Sequence, residues 1–212
     1  RPVLPAEDLR VGEGRMTTVQ NKPITLVLAV VVTCVVAAAG LAATYAVTKD
    51  RIAEQDRLAQ ENSLKAALPE AESFEQVTDT AILADAEAAA GEVQVNSIFT
   101  ALDGSGDEIG WGLRLGSRGY GGYAQLVIGL DTSGSVTGVS VLSHGETPGL
   151  GSKVMEDKAY LGAFTELPAG FTTKDVKAID GISGATKSSR ALKHAVEAAG
   201  AIYADVLSKG GE

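Results

Sequence analysis

Polar and apolar positions divide the chain into three textures. From Ile24 to Val47 there are 24 residues without a charge, ITLVLAVVVTCVVAAAGLAATYAV, bracketed by Lys22 and Lys49. As a helix rising about 1.5 Å per residue, this run reaches roughly 36 Å, enough to cross a bilayer core with some tilt. The apolar stretch of a cleaved signal peptide is shorter, about 7 to 15 residues, so the run predicts a retained transmembrane helix over 24–47. Cys34 lies mid-span with apolar residues on both sides, which reads as packing rather than lipidation. The next stretch, KDRIAEQDRLAQENSLKAAL, keeps good helix formers and sets Ile52, Leu58, Ala59 and Leu68 among charges until Pro69 stops it. It predicts a helical stalk over 48–69. Residues 70 to 91 are rich in Glu and Ala and predict one short helix closed by Gly91.

The third texture is made of short β-type runs: VQVNSIFTAL, EIGWGLRLG, YAQLVIGLD and SVTGVSVLS. In YAQLVIGLD, Leu126, Ile128 and Leu130 alternate with Gln125, Val127 and Gly129, the period of a strand with one buried face. DTSGS joins the last two runs as a hairpin turn, with Gly134 free to take a positive φ. Downstream, the pattern predicts a helix from Val154 to about Phe164, a loop around Pro168 and Gly170, and a short strand DVKAI leading to Asp180. In the final helix Leu192, Ala195, Val196, Ala199, Ile202, Tyr203 and Val206 form one apolar stripe, which pins that helix by packing. The predicted class is α+β: a single transmembrane helix and stalk, then a mostly antiparallel sheet packed against helices. The expected divisions are 1–23, a short N-terminal segment; 24–47; 48–69; and 70–212, the domain beyond the stalk.

Charge is unevenly placed. Residues 1–23 carry four basic and three acidic groups, whereas residues 49–212 carry 14 basic and 24 acidic groups. Such an acidic domain lacks the basic footprint that nucleic acid requires. One cysteine excludes an internal disulfide, and two histidines, His144 and His194, with no CxxC spacing point to no metal site. Lys and Arg flank the span in equal number, Arg10, Arg15 and Lys22 before it and Lys49, Arg51 and Arg57 after it, so the charge bias sets no orientation. Met16 is a candidate internal start.

Candidate chemistry gathers in two glycine-opened loops, HGETPGLGSKV and DGISGATKSS. In the second, Ser183, Gly184, Ala185 and Thr186 precede the pinned helix. A helix N-terminus presents unpaired N–H groups and the positive end of its dipole, and small residues let an anion such as phosphate come close. Thr186 adds a hydroxyl there. His194 lies two turns along the helix, too far to activate that hydroxyl, so a Ser/His/Asp site is a poor reading. A plain structural N-cap and an anion site both remain open on these four residues alone.

The two loops in this order, behind a single span and together with YGGYAQLVIGLD, resemble the covalent-FMN-binding domain found in the G subunit of the Rnf ion-translocating electron-transport complex. The C subunit of the sodium-translocating NADH:quinone oxidoreductase shares the pattern. The resemblance implies a bacterial inner-membrane, single-pass flavoprotein of electron transport, a translocase component inactive alone. It would carry FMN through a threonine phosphoester on Thr186, with residues 1–23 a short cytoplasmic segment and residues 70–212 an FMN-binding domain outside the cytoplasm. It further implies a flavin transferase that uses FAD for maturation, and other membrane and peripheral Rnf subunits as partners in ferredoxin- and NAD-coupled ion transport. By the same resemblance Glu146, Thr147, Gly149, Leu150 and Gly151 line the flavin, and Ser183, Gly184 and Ala185 surround the phosphate. Lys153, Lys187 and Ser188 are further phosphate or ring contacts. The alternatives are a C-type subunit of the quinone-reducing complex, or a membrane-anchored module that binds an anion or partner without redox turnover. Trp111, Tyr120 and Tyr123 are candidates for ring stacking or for core and rim, and Asp180 for tying down the turn.

Overall fold

A computed structural model describes residues 23–209. The expected cytoplasmic tail, including Met16 and the cations before the span, falls almost wholly outside the described residues. The described residues divide into two compact units, 23–52 and 53–209.

Helix α1 runs Pro23–Ala67 and contributes to both units. In the first unit its most apolar 18 residues have a mean hydropathy of 2.7, and none is buried against protein. Thr33, Thr44 and Thr48 turn their hydroxyls back onto the carbonyls of Ala29, Gly40 and Thr44 at 2.8–2.9 Å. Those polar atoms are thereby satisfied within the helix, as a bilayer core demands.

The second unit is a five-stranded antiparallel meander in sequence order: β1 Ser73–Gln76, β2 Gln94–Leu102, β3 Glu108–Arg118, β4 Tyr123–Asp131 and β5 Val136–Ser143. On one face Ile98, Leu113, Leu115, Leu126, Ile128 and Leu130 pack against α2 (Thr80–Ala90) and the stripe of α6 (Thr186–Asp205). The alternation in β4 therefore marks that face correctly. Val127, on the opposite side, is buried as well, because Leu64 and Ala67 at the end of α1 cover it together with Phe99.

This second contact depends on a row of glycines. Gly112, Gly129 and Gly138 are partners across β3, β4 and β5, and a Cβ at any of them would run into Leu64 or the backbone of Ala67. The helix end thus lies in a furrow with no side chains on its floor, and Thr137 Oγ1 donates to the Ala67 carbonyl at 2.7 Å.

Several local expectations change. The short strand β1 precedes α2, where one helix was expected; it pairs with β2 from Ser73↔Leu102 to Gln76↔Phe99. Gly91 does close α2, at φ 64°. The helix expected over 154–164 is three pieces: α3 (Ser152–Glu156), α4 (Lys158–Gly162) and a 3₁₀ turn (Ala163–Glu166). Asp157 makes the break, because its carboxyl accepts from Ala159 N and Tyr160 N and starts a new helix. DVKAI is not a strand but the body of α5 (Thr173–Ala178), opened by a capping box between Thr172 and Asp175. Gly134 takes φ 78° in the β4–β5 turn as expected, beneath the ring of Tyr203.

Candidate functional site

The site is built where three loops meet: the β3–β4 turn around Gly119 to Gly122, the loop from His144 to Gly151, and the turn that opens α6. The α6 turn is shaped by its backbone. Gly184 takes φ 81°, and Ala185 N donates to the Ile182 carbonyl at 3.0 Å. Ser189, buried one turn inside α6, accepts from Ile182 N at 3.1 Å. Lys193 donates its ammonium to the carbonyls of Ile179 and Lys177. The tie expected from Asp180, which is exposed, is thus supplied by Ser189 and Lys193.

Helix α6 starts without a side-chain cap. Its N-cap is Ala185, and the first backbone bond into the helix runs from Ser189 N to Ala185 O at 2.9 Å. Ala185 has φ −123° and ψ 37°, away from the extended geometry in which a capping side chain reaches back. The amides of Thr186, Lys187 and Ser188 consequently stand at the positive end of a 20-residue helix with no side chain to cap them. Of the two readings of the SGAT turn, the plain N-cap lacks its hydrogen bond.

The loop from His144 to Gly151 faces this helix end. Gly149 takes φ 79° in a tight turn, Leu150 N donates to the Thr147 carbonyl at 3.2 Å, and Gly149 N donates to Ser152 Oγ at 3.0 Å. Glu146 does not point at solvent. Its carboxyl sits between Gly119 and Gly151, where any Cβ would collide with it. One oxygen accepts from Tyr120 N at 2.8 Å and the other from Ser188 Oγ at 2.8 Å. Glu146 is 6% exposed and Ser188 1%. A single carboxyl therefore staples all three loops together. His144 braces the same loop from behind: its Nδ1 accepts from Glu146 N at 3.3 Å and its Nε2 lies 3.6 Å from Glu156.

Between the loops lies a cleft of about 340 Å³. Of the residues singled out in the sequence, it brings together Glu146, Thr147, Leu150, Gly151, Gly184, Ala185, Thr186, Lys187 and Ser188, and with them Tyr120, one of the three aromatic candidates. Ser183, Gly149 and Lys153 are not on its wall: Gly149 makes the turn, Lys153 is exposed on α3, and Ser183 lines a separate groove on the other side of Thr186. Tyr120 and Leu150 stand at the mouth, 71% and 57% exposed, and Lys187 Nζ lies 5.7 Å from the Tyr120 ring centroid. Trp111 is away from the cleft, stacked at a tilt on Tyr203 with centroids 5.7 Å apart. The cleft thus combines Leu150 and the Tyr120 ring at its mouth, a set of uncapped amides and the Thr186 hydroxyl, a set suited to a group with a flat apolar end and an anionic end. Its structural glycines, 119 and 121, escaped the sequence reading, although the run RGYGG between two strands was their signal.

Residues 119–201 match the family described as FMN-binding domain, and residues 25–66 the RnfG N-terminal region. The G subunit of an ion-translocating oxidoreductase complex from Methanosarcina acetivorans is 34% identical over 183 residues, covering 84% of this chain and 94% of its own. The G subunit of the ion-translocating oxidoreductase complex of Aliivibrio fischeri strain MJ11 is 33% identical, covering 87% and 90%. The G subunit of a Na(+)-translocating ferredoxin:NAD(+) oxidoreductase complex from Acetobacterium woodii is 31% identical, covering 82% and 87%.

Proposed function

Because the chain belongs to the G-subunit family of ion-translocating oxidoreductase complexes, we propose that it relays electrons through FMN held covalently on Thr186, within a complex that couples ferredoxin and NAD chemistry to ion transport. The coarser part of this reading is carried by the family: a membrane-anchored, FMN-binding electron-transfer subunit of a redox complex. The linkage and the surroundings of the flavin rest on the cleft.

The observation that carries the proposal is the pairing of the uncapped α6 terminus with an apolar mouth in one cleft. Amides of Thr186, Lys187 and Ser188 are placed to hold a phosphate. Gly184, with open space where a Cβ would stand, lets that phosphate approach the backbone. Leu150 and Tyr120 supply the surface against which a flavin ring would lie, with Lys187 at the rim. Bound FMN supplies the electron-accepting chemistry, and these residues supply position and electrostatics. Glu146 acts one step back, holding Ser188 and the β3–β4 turn in place.

Thr186 needs no internal base for attachment if a separate flavin transferase serves the reaction. Thr186 Oγ1 then forms the new P–O bond as the pyrophosphate bond of FAD breaks, AMP leaves, and the hydroxyl proton passes to the transferase. The phosphodiester that remains carries one negative charge, matched to the helix end. In this proposal the domain lies outside the cytoplasm at a bacterial inner membrane, and its partners are the other membrane and peripheral subunits.

Expression of the full chain together with a flavin transferase tests the linkage. A band that fluoresces after complete denaturation, and that is lost in Thr186→Ala, is the expected result. A non-fluorescent denatured chain with the transferase active on another substrate refutes it.

A further inference from the structure

We propose that the outer face of the first half of α6, beside the FMN cleft, is the docking surface for an acidic protein partner that exchanges electrons with the flavin; the electron-exchange part rests on the function proposed above. The surface is an exception within its own domain. Residues 49–212 carry 24 acidic and 14 basic groups, yet Arg118, Lys177, Lys187, Arg190 and Lys193 converge here, with His194 among them. The acids lining the same clefts are Glu92 and Glu197. Among the described residues none of the five cations forms an ion pair. Like charges held together unpaired oppose folding by self-repulsion, and in a net-negative domain they create a local field of the opposite sign.

The relief of this face favours a protein over a lipid or nucleic acid surface. Thr186 stands on a ridge: the FMN cleft lies on one side, and a groove of about 410 Å³ follows α6 on the other, from Thr186 past Arg190 and Lys193 to Glu197. The eleven helical rises from Thr186 to Glu197, at about 1.5 Å each, make that groove roughly 16 Å long. A third cleft of about 240 Å³ shares Arg190 and His194 and extends to Arg118. Protruding acidic side chains can enter such grooves, whereas a plane of lipid headgroups cannot follow them. At the far end, Glu197 Oε1 is buried without a hydrogen-bond partner. Docking here would bring a partner's redox group beside Thr186.

The test uses the full chain in its assembled complex, embedded in lipid discs. In Lys177→Glu with Arg190→Glu, flavin reduction by the complex should slow about tenfold or more at low ionic strength, within the range by which steering raises association rates. Salt should slow the unaltered complex and leave the variant nearly unaffected. The milder pair Lys177→Gln with Arg190→Gln should fall between them, with unchanged unfolding midpoint and flavin content. A photo-crosslinking residue at position 194 gives a readout that needs no flavin: the expected adduct is a partner-subunit peptide rich in Asp and Glu, lost at high salt. Unaltered rate and salt dependence in the charge-reversed variant would overturn the proposal. So would adducts to lipid alone, or an effect confined to discs of anionic lipid. Absence of flavin from the unaltered chain would instead count against the function proposed above, and leave the crosslink to judge the surface.

Discussion

Replacing Glu146 by Gln and Ser188 by Ala, singly and together, measures the staple that assembles the cleft. Ser188→Ala removes a 2.8 Å hydroxyl–carboxyl hydrogen bond between groups that are 1% and 6% exposed, so water has little access to replace it. Hydrogen bonds to charged groups contribute about 1.5–3 kcal/mol, and Ser188→Ala should cost about 2 kcal/mol. Glu146→Gln keeps an acceptor for Tyr120 N and lets the Ser188 hydroxyl turn to accept from the amide, so it should cost about 1 kcal/mol. With both partners gone the shared bond is lost only once, and the cycle should show a coupling of about 1 kcal/mol, roughly fivefold in the folded-to-unfolded ratio. Trp111, the one tryptophan of the chain and 9% exposed, reports urea unfolding of the domain in the detergent-solubilised full chain. Additivity of the two single changes to within about 0.3 kcal/mol would refute the reasoning, because it would show that the contact carries no energy of its own.

Gly129→Ala should destabilise the same domain by about 1–3 kcal/mol, since the added methyl meets Ala67 O, Thr137 Oγ1 and the Leu68 side chain; an unchanged urea midpoint would show that the end of α1 is not seated in the furrow. Asp131 titrates below the ordinary carboxylate range: burial pushes it up, but hydrogen bonds from the Ser133 hydroxyl and from the amides of Ser135, Ser133 and Gly134 outweigh that. A depressed folded value gives stabilisation that is complete above the unfolded pKa of about 3.9 and is lost as pH falls through the folded value. Asp131→Asn should therefore lower stability at pH 7 while flattening its decline below about pH 4, and an acid limb as steep as in the unaltered chain would contradict this. Ala185→Ser should add less than about 0.5 kcal/mol, well short of the usual cap worth about 1 kcal/mol, because the backbone at 185 points its side chain away from the amides; a full capping gain in the urea midpoint would overturn that account.

What could be read from sequence follows from how the chain encodes it. Four of the strands and α6 are written as periodicities over eight or more residues, and their positions hold to within about two residues. Strand β1 is only SFEQ, four residues at a sheet edge, too short to display a period. Helix α5 had a local signal in Thr172 and Asp175, three apart, but the β-branched and aliphatic residues of DVKAI outweighed it. Burial of Val127 was invisible because it depends on α1 returning to the sheet some 60 residues away in sequence, a tertiary fact with no local trace. In the cleft, the sequence located Thr186 and its loop partner. It did not show that Glu146 faces inward, because that depends on Gly119 and Gly151 leaving room on both sides.

If Thr186 carries FMN as proposed, the missing cap on α6 has a consequence for the protein before the flavin is attached. A helix whose first turn is left for an incoming anion to complete is an unfinished element of the fold, and its opening is easiest at residue 186. The unloaded chain should thus present Thr186 in a locally frayed segment, accessible to a modifying enzyme, while the rest of α6 stays fixed by its apolar stripe. Once an anion is attached, fraying should be suppressed, so that amide exchange at Ser188 and Ser189 slows and the chain no longer offers the same segment. Maturation would then be self-terminating, with the substrate closing when the reaction is done.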